Sequence, residues 1–194
     1  VNTTDSDAFY RPATTWNYDN EEVGTYADTA DYTYTAKVKG EDIYKALGKP
    51  DADKTLYRYF LNGESVDADE LPGDKTNNVS DFDGISADEK DKVGGNGVLI
   101  EIFKRDLDDV KDSDGKVDGQ SGIKNVYDVV VIETYVGTIA SWKAAKGAND
   151  EYVTVSAVDG AKAPNLASSK FETEQFSEDD ADDETVVLYT YSEK

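Results

Sequence analysis

The segment Asn125–Trp142, NVYDVVVIETYVGTIASW, constrains the fold more than any other part of this chain. Val129, Val130, Val131 and Ile132 stand in a row, and β-branched side chains are stiff at χ1 and fit a pleated surface better than a helix. An unbroken apolar run of this kind lacks the alternation of a half-exposed strand. It predicts a central strand covered on both faces. Gly137, further along, is a place for that segment to bend or bulge.

Other segments follow the same preference. Tyr32–Val38 (YTYTAKV) alternates, with Tyr32, Tyr34, Ala36 and Val38 on one side and Thr33, Thr35 and Lys37 on the other, as a half-buried strand should. Thr55–Val66 reads as a hairpin around Asn62–Gly63, since both residues accept the positive φ of a tight turn. Gly97–Lys104, Tyr152–Val158 and Thr185–Ser192 are further strands. Gly40–Gly48 is a short helix, with Glu41 and Asp42 at its start, Ile43, Tyr44 and Leu47 on one face, and Gly48 as the closing residue. A second helical turn is expected near Ser86–Lys92, where Ser86 and Glu89 match a capping box. The fold class is therefore mainly β: a curled antiparallel sheet or small barrel with one or two short peripheral helices. Residues 1–30 form a polar N-terminal segment, packed either on this domain or on a neighbour, and 31–194 a single β-rich domain. The 194 residues are enough for a sizeable core.

Composition excludes several chemistries. The chain has no cysteine, histidine or methionine, which removes disulfides, thiolate metal sites and every triad built on histidine. With 20 Lys+Arg against 42 Asp+Glu the net charge is −22. A surface of that sign repels phosphate, so nucleic acid is not an expected partner, and no apolar run reaches membrane-span length. No charged-then-apolar leader opens the chain, which reads as a mature or excised piece of a longer protein.

Paired carboxylates, lysine or tyrosine remain as catalytic options. Glu101 and Glu133 stand out because each interrupts an apolar strand, but a glycosidase needs two acids converging on one cleft. In a chain this acidic, chance pairs are expected, and the reading is that the protein is not an enzyme. No catalytic or cofactor-binding residue is assigned.

The stretch Asp106–Gly122, DLDDVKDSDGKVDGQSG, holds six aspartates and three glycines. It is not an EF-hand. With Gly115 at loop position six, Asp112 and Asp114 fall correctly, but Val110 takes position one and Ser121 position twelve. A looser Ca²⁺ site built from Asp112, Asp114 and Asp118 is the metal candidate, set against the simpler reading of two Asp-Gly turns on a solvated loop. The same turn reading covers Asp81 and Asp83, and the acidic run Glu178–Glu184, which could also bind cations, reads as a solvated, self-repelling charge block. Trp16, Trp142 and the thirteen tyrosines could offer a sugar-stacking platform, although tyrosine at period two is more often packed sheet. Asn2-Thr3-Thr4 and Asn78-Val79-Ser80 match the glycosylation acceptor pattern.

The wording of several segments, TTWNYDNEEVGTYADTADYTYTAKV, DIYKALG, LYRYFLNGE, GGNGVLIEIF, VYDVVVIETYVGTI and VVLYTYS, resembles modules of large Gram-positive surface proteins that carry S-layer homology segments. The resemblance runs from about Thr15 to the end and does not include the S-layer homology segment itself. It implies a secreted, extracellular module of the cell wall or surface layer, with neighbouring modules or copies of the same protein as partners and no catalytic residues. It also implies a hairpin of GGNGVLIEIF with VVVIETYVGTI. The expected function is a structural module whose acidic face is screened by cations such as Ca²⁺. The alternative is an adhesin or binding module recognising glycan or a host protein.

Overall fold

The structure is a computed structural model. It describes residues 30–73, 82–95, 97–147, 150–161, 170–173, 176–182 and 185–190. The chain is mainly β, with three sheets and three short α-helices, and no sheet closes into a barrel among the described residues. Within the span expected to be one domain, the residues form two compact units divided between Glu133 and Thr134.

The first unit is built on a five-stranded sheet. Its strands are β1 (Tyr32–Tyr34), β3 (Thr55–Leu61), β4 (Glu64–Val66), β6 (Val98–Arg105) and β7 (Asn125–Glu133), in the order β1-β6-β7-β3-β4. Two further strands, β2 (Val38–Lys39) and β5 (Lys92–Val93), pair in a separate small ladder. The alternating segment from Tyr32 is thus split: β1 lies on the main sheet edge, and the chain leaves it before β2.

β7 has the central place its composition calls for. It runs antiparallel to β6, from Val98 opposite Glu133 to Arg105 opposite Val126, which realises the expected pairing of those two segments. On its other side it runs parallel to β3, with Thr55 opposite Asn125 and Leu61 opposite Val131. That corrects the expectation of a purely antiparallel sheet. β3 and β7 are separated by β4, β5 and β6, a connection long enough for a parallel crossover, whereas short-range turn signals predict only antiparallel neighbours. The strand start is fixed by Lys124 N–H donating to Lys54 O (2.8 Å) and by Asn125 Nδ2 donating to Thr55 Oγ1 (3.3 Å).

Both faces of this sheet are buried. One carries Ile100, Ile102, Tyr127, Val129 and Val131 and packs with Ile43, Leu71, Phe82 and Ile85. Ile43 comes from α1 (Gly40–Ala46), whose closing turn is as expected. Gly48 has φ 83°, its N–H donates to Lys45 O, and Lys49 N–H donates to Tyr44 O, a Schellman closure that needs a left-handed residue at Gly48. The opposite face carries Phe60, Leu99, Phe103, Val130 and Ile132. Residues 82–95 contain no helix. Ser86 and Glu89 make no capping box, because the Glu89 carboxylate accepts Asp91 N–H and the Glu89 N–H donates to the Ser86 carbonyl; the Glu89 carbonyl accepts Glu41 N–H. A reciprocal cap does form upstream, where Glu70 accepts Asp67 N–H at 2.7 Å over the 3-10 turn Ala68–Glu70.

The second unit is an antiparallel sheet of β8 (Tyr135–Lys143), β9 (Tyr152–Ala157), β10 (Lys170–Glu172) and β11 (Val186–Tyr189), ordered β10-β9-β8-β11. Ile139, Val153 and Val155 form its core, with Phe176 and Ala181 packed from around the short helix α3 (Glu178–Asp182). Gly137 is needed for close approach: a Cβ there would lie 2.2 Å from Val155 Cγ1. Gly137 itself stays in register with Ala157 and Val187, and the irregularity of β8 falls instead between Ile139 and Ser141.

Candidate functional site: a buried charge pair and an aspartate-rich loop

Asp128 lies in the middle of β7 and is fully buried. The parallel register sets it opposite Arg58 of β3, and the two side chains meet as a bidentate pair. Arg58 Nε donates to Asp128 Oδ1 at 2.6 Å and Nη2 to Oδ2 at 2.8 Å. Arg105, at the end of β6, brings Nη1 to 3.7 Å from Oδ2. The guanidinium of Arg58 also sits 6.0 Å from the centre of the Phe60 ring. Burial raises the Asp128 carboxyl above its ordinary value, and the hydrogen bonds and charge of Arg58, with the charge of Arg105, offset only part of that rise. The planar fork of arginine suits this place, since it holds both carboxylate oxygens at once. Neither Arg58 nor Asp128 stood out in the sequence reading. The signal was the one that singled out Glu101 and Glu133, a charge interrupting an apolar strand, in LYRYF and VYDVVV.

Glu101 and Glu133 are buried, with 8% and 6% of their surface exposed. They lie on opposite faces of the sheet. Glu101 shares the parity of Leu99 and Phe103, whereas Glu133 continues the parity of Val129 and Val131. Two carboxylates separated by the sheet cannot flank one glycosidic bond.

The aspartate-rich loop begins at α2 (Leu107–Val110), started by Asp106, whose carboxylate accepts Asp108 N–H at 2.9 Å. Two turns follow. In the first, Asp112 Oδ1 accepts from Asp114 N–H and from Lys116 N–H, both at 2.9 Å, and the Asp112 carbonyl accepts Gly115 N–H. In the second, Val117 and Gln120 exchange backbone hydrogen bonds around Asp118–Gly119, both at positive φ (48° and 74°). Asp112, Asp114 and Asp118 are all exposed, and the buried residue of the loop is Val117. Asp112 and Asp114 therefore share one turn, while Asp118 belongs to the next and lies within electrostatic reach of Arg58 and Asp128. Among the described residues no group of three or more acidic side chains is arranged to hold a metal ion.

Asp83 is exposed, and Asp81 lies outside the described residues, as do Trp16, Asn2 and Asn78. In the acidic run, Glu178 and Asp179 are exposed on α3, and Asp180 accepts from both N–H and Oγ of Ser177 at 2.8 Å, which holds its carboxyl below the usual range. The described tyrosines are largely packing groups. Tyr57 stacks on Tyr127 with ring centres 5.7 Å apart, Tyr59 meets Phe82 edge-on at 6.2 Å, and Tyr135 and Phe171 both contact Tyr189. No helix among the described residues is long and apolar enough to cross a membrane. Comparison of the chain with protein-family models, curated proteins and solved structures returns no match.

Proposed function

We propose that the chain is a non-catalytic structural module of a bacterial cell-surface protein, of S-layer or cell-wall type. The observation that carries this reading is the use made of its carboxylates. In the loop that most suggests chemistry, Asp112 accepts two backbone N–H groups, and Asp106, Asp51 and Asp180 do the same work at other turn and helix starts. The strongest charged contact, Arg58–Asp128, joins two neighbouring strands. Acids used in this way build a framework, within a set of 42 acids against 20 Lys+Arg that gives the net charge of −22. Surface placement rests on the likeness of segments such as LYRYFLNGE and VYDVVVIETYVGTI to modules of Gram-positive surface proteins. In that setting Ca²⁺ and other divalent ions lower the repulsion between neighbouring copies, and the exposed Asp112, Asp114 and Asp118 are among the groups they meet.

Two measurements test this. Antibody raised against the module should label intact source cells; labelling only after permeabilisation would sink the surface assignment. Sedimentation velocity at matched ionic strength should show copies associating more in Ca²⁺ than in chelator, and equal sedimentation in both would remove cation screening from the reading.

A further inference from the structure

The turn between β3 and β4 is Asn62–Gly63, with φ of 49° and 94°. Asn62 is unusual for a turn residue in being 7% exposed. Its Oδ1 accepts the Glu133 N–H at 2.8 Å, and its own N–H donates to Val131 O at 2.9 Å. The tip of the hairpin is thereby clamped to the end of β7.

Asparagine followed by glycine is the pairing in which the next backbone nitrogen most easily reaches the side-chain carbonyl carbon, because glycine has no Cβ in the way. Gly63 N bonds to Asn62 Cγ, the Cγ–Nδ2 bond breaks, and the amide nitrogen leaves as ammonia with the proton given up by Gly63 N–H. A five-membered succinimide remains. Water then opens either carbonyl, giving aspartate or isoaspartate.

We propose that Asn62 is a latent self-modification site gated by its clamp to Glu133. Turning Cγ toward Gly63 N requires Oδ1 to leave the Glu133 N–H, so reaction waits for the hairpin end to open. β4 is a three-residue edge strand, the kind of element that opens locally before the core does. An aspartate product keeps an acceptor for Glu133 N–H. An isoaspartate product routes the chain through the side-chain carbon, lengthens a two-residue turn and takes Glu64 out of register with Leu61. The turn thus records past opening irreversibly.

The test uses the full chain at mildly alkaline pH, in buffer and in urea above its unfolding midpoint. Mass spectrometry follows the change from amide to acid in the peptide spanning Asn62. Asn96–Gly97, the other Asn-Gly pair in the sequence, is the internal reference for the urea arm. Conversion at Asn62 is expected to be at least about tenfold slower in buffer than in urea, since opening must precede reaction. Equal rates in the two solvents would overturn the gating. No conversion at Asn62 in urea, while Asn96 converts, would overturn the site itself.

Discussion

Tyr57 and Asp128 show two ways of burying a polar atom at the scale of a single residue. The Asp128 carboxylate has two guanidinium hydrogen bonds, whereas the Tyr57 hydroxyl is buried without a hydrogen-bond partner among the described residues. An unmatched hydroxyl costs its desolvation and returns nothing. Tyr57→Phe should therefore stabilise the protein by about 1 kcal/mol, read as a higher denaturation midpoint with an unchanged m-value. Burial also raises the tyrosine pKa values: Tyr59, whose hydroxyl accepts Ile85 N–H at 3.1 Å, is pushed up to about 12, and Tyr57 is raised as well. A raised folded pKa means the unfolded chain ionises first. The contribution is intact below the ordinary value of 10.0 and is lost as pH rises through about 12. Phenolate absorbance should show tyrosines titrating late in the folded chain, with stability falling over that window. Tyr59→Phe should flatten the fall, and an unchanged slope would sink the assignment.

At the scale of elements, the Arg58–Asp128 pair ties the parallel β3–β7 ladder to one register. A slip of β3 by one residue would turn Arg58 to the other face of the sheet and leave Asp128 buried without its partner. Asp128→Asn keeps the shape but leaves Arg58 without its counter-charge, and should cost about 3–5 kcal/mol. Replacing both partners together, Arg58→Met with Asp128→Leu, should come near neutral, because a buried ion pair gains little over well-packed apolar groups. A double-mutant cycle on chemical denaturation measures this, and additive single effects would mean the pair is not coupled. The elements also show where local chemistry is enough to read structure. Asn62–Gly63 and Gly48 took the expected conformations because positive φ is a property of the residue itself. Ser86 and Glu89 have the right spacing for a cap, yet the Glu89 carboxylate accepts Asp91 N–H instead, and that competition is not written in the spacing.

For the whole molecule the dominant long-range term is self-repulsion from a net charge of −22. Screening should relieve it. Melting temperature is expected to rise with NaCl from low ionic strength toward ~0.15 M, where the Debye length shrinks to ~8 Å. A flat or falling trend would mean that attractive ion pairs outweigh the repulsion. Surface pairs such as Lys45 with Glu41 and Asp42 are too exposed to do so.

Residue order alone determined the mainly β class, the central and doubly covered β7, the tight hairpin turn and the closure of α1. Each follows from steric preference or apolar patterning over a few neighbouring positions. The tertiary structure alone decided the rest: that β3 lies parallel to β7, that the apolar segment divides at Thr134 into strands of two sheets, and that Glu101 and Glu133 face apart. It also decided that Arg58 and Asp128 meet. These outcomes depend on which strands become neighbours, and that is settled by burial and pairing between residues 70 or more positions apart. No local pattern carries that choice.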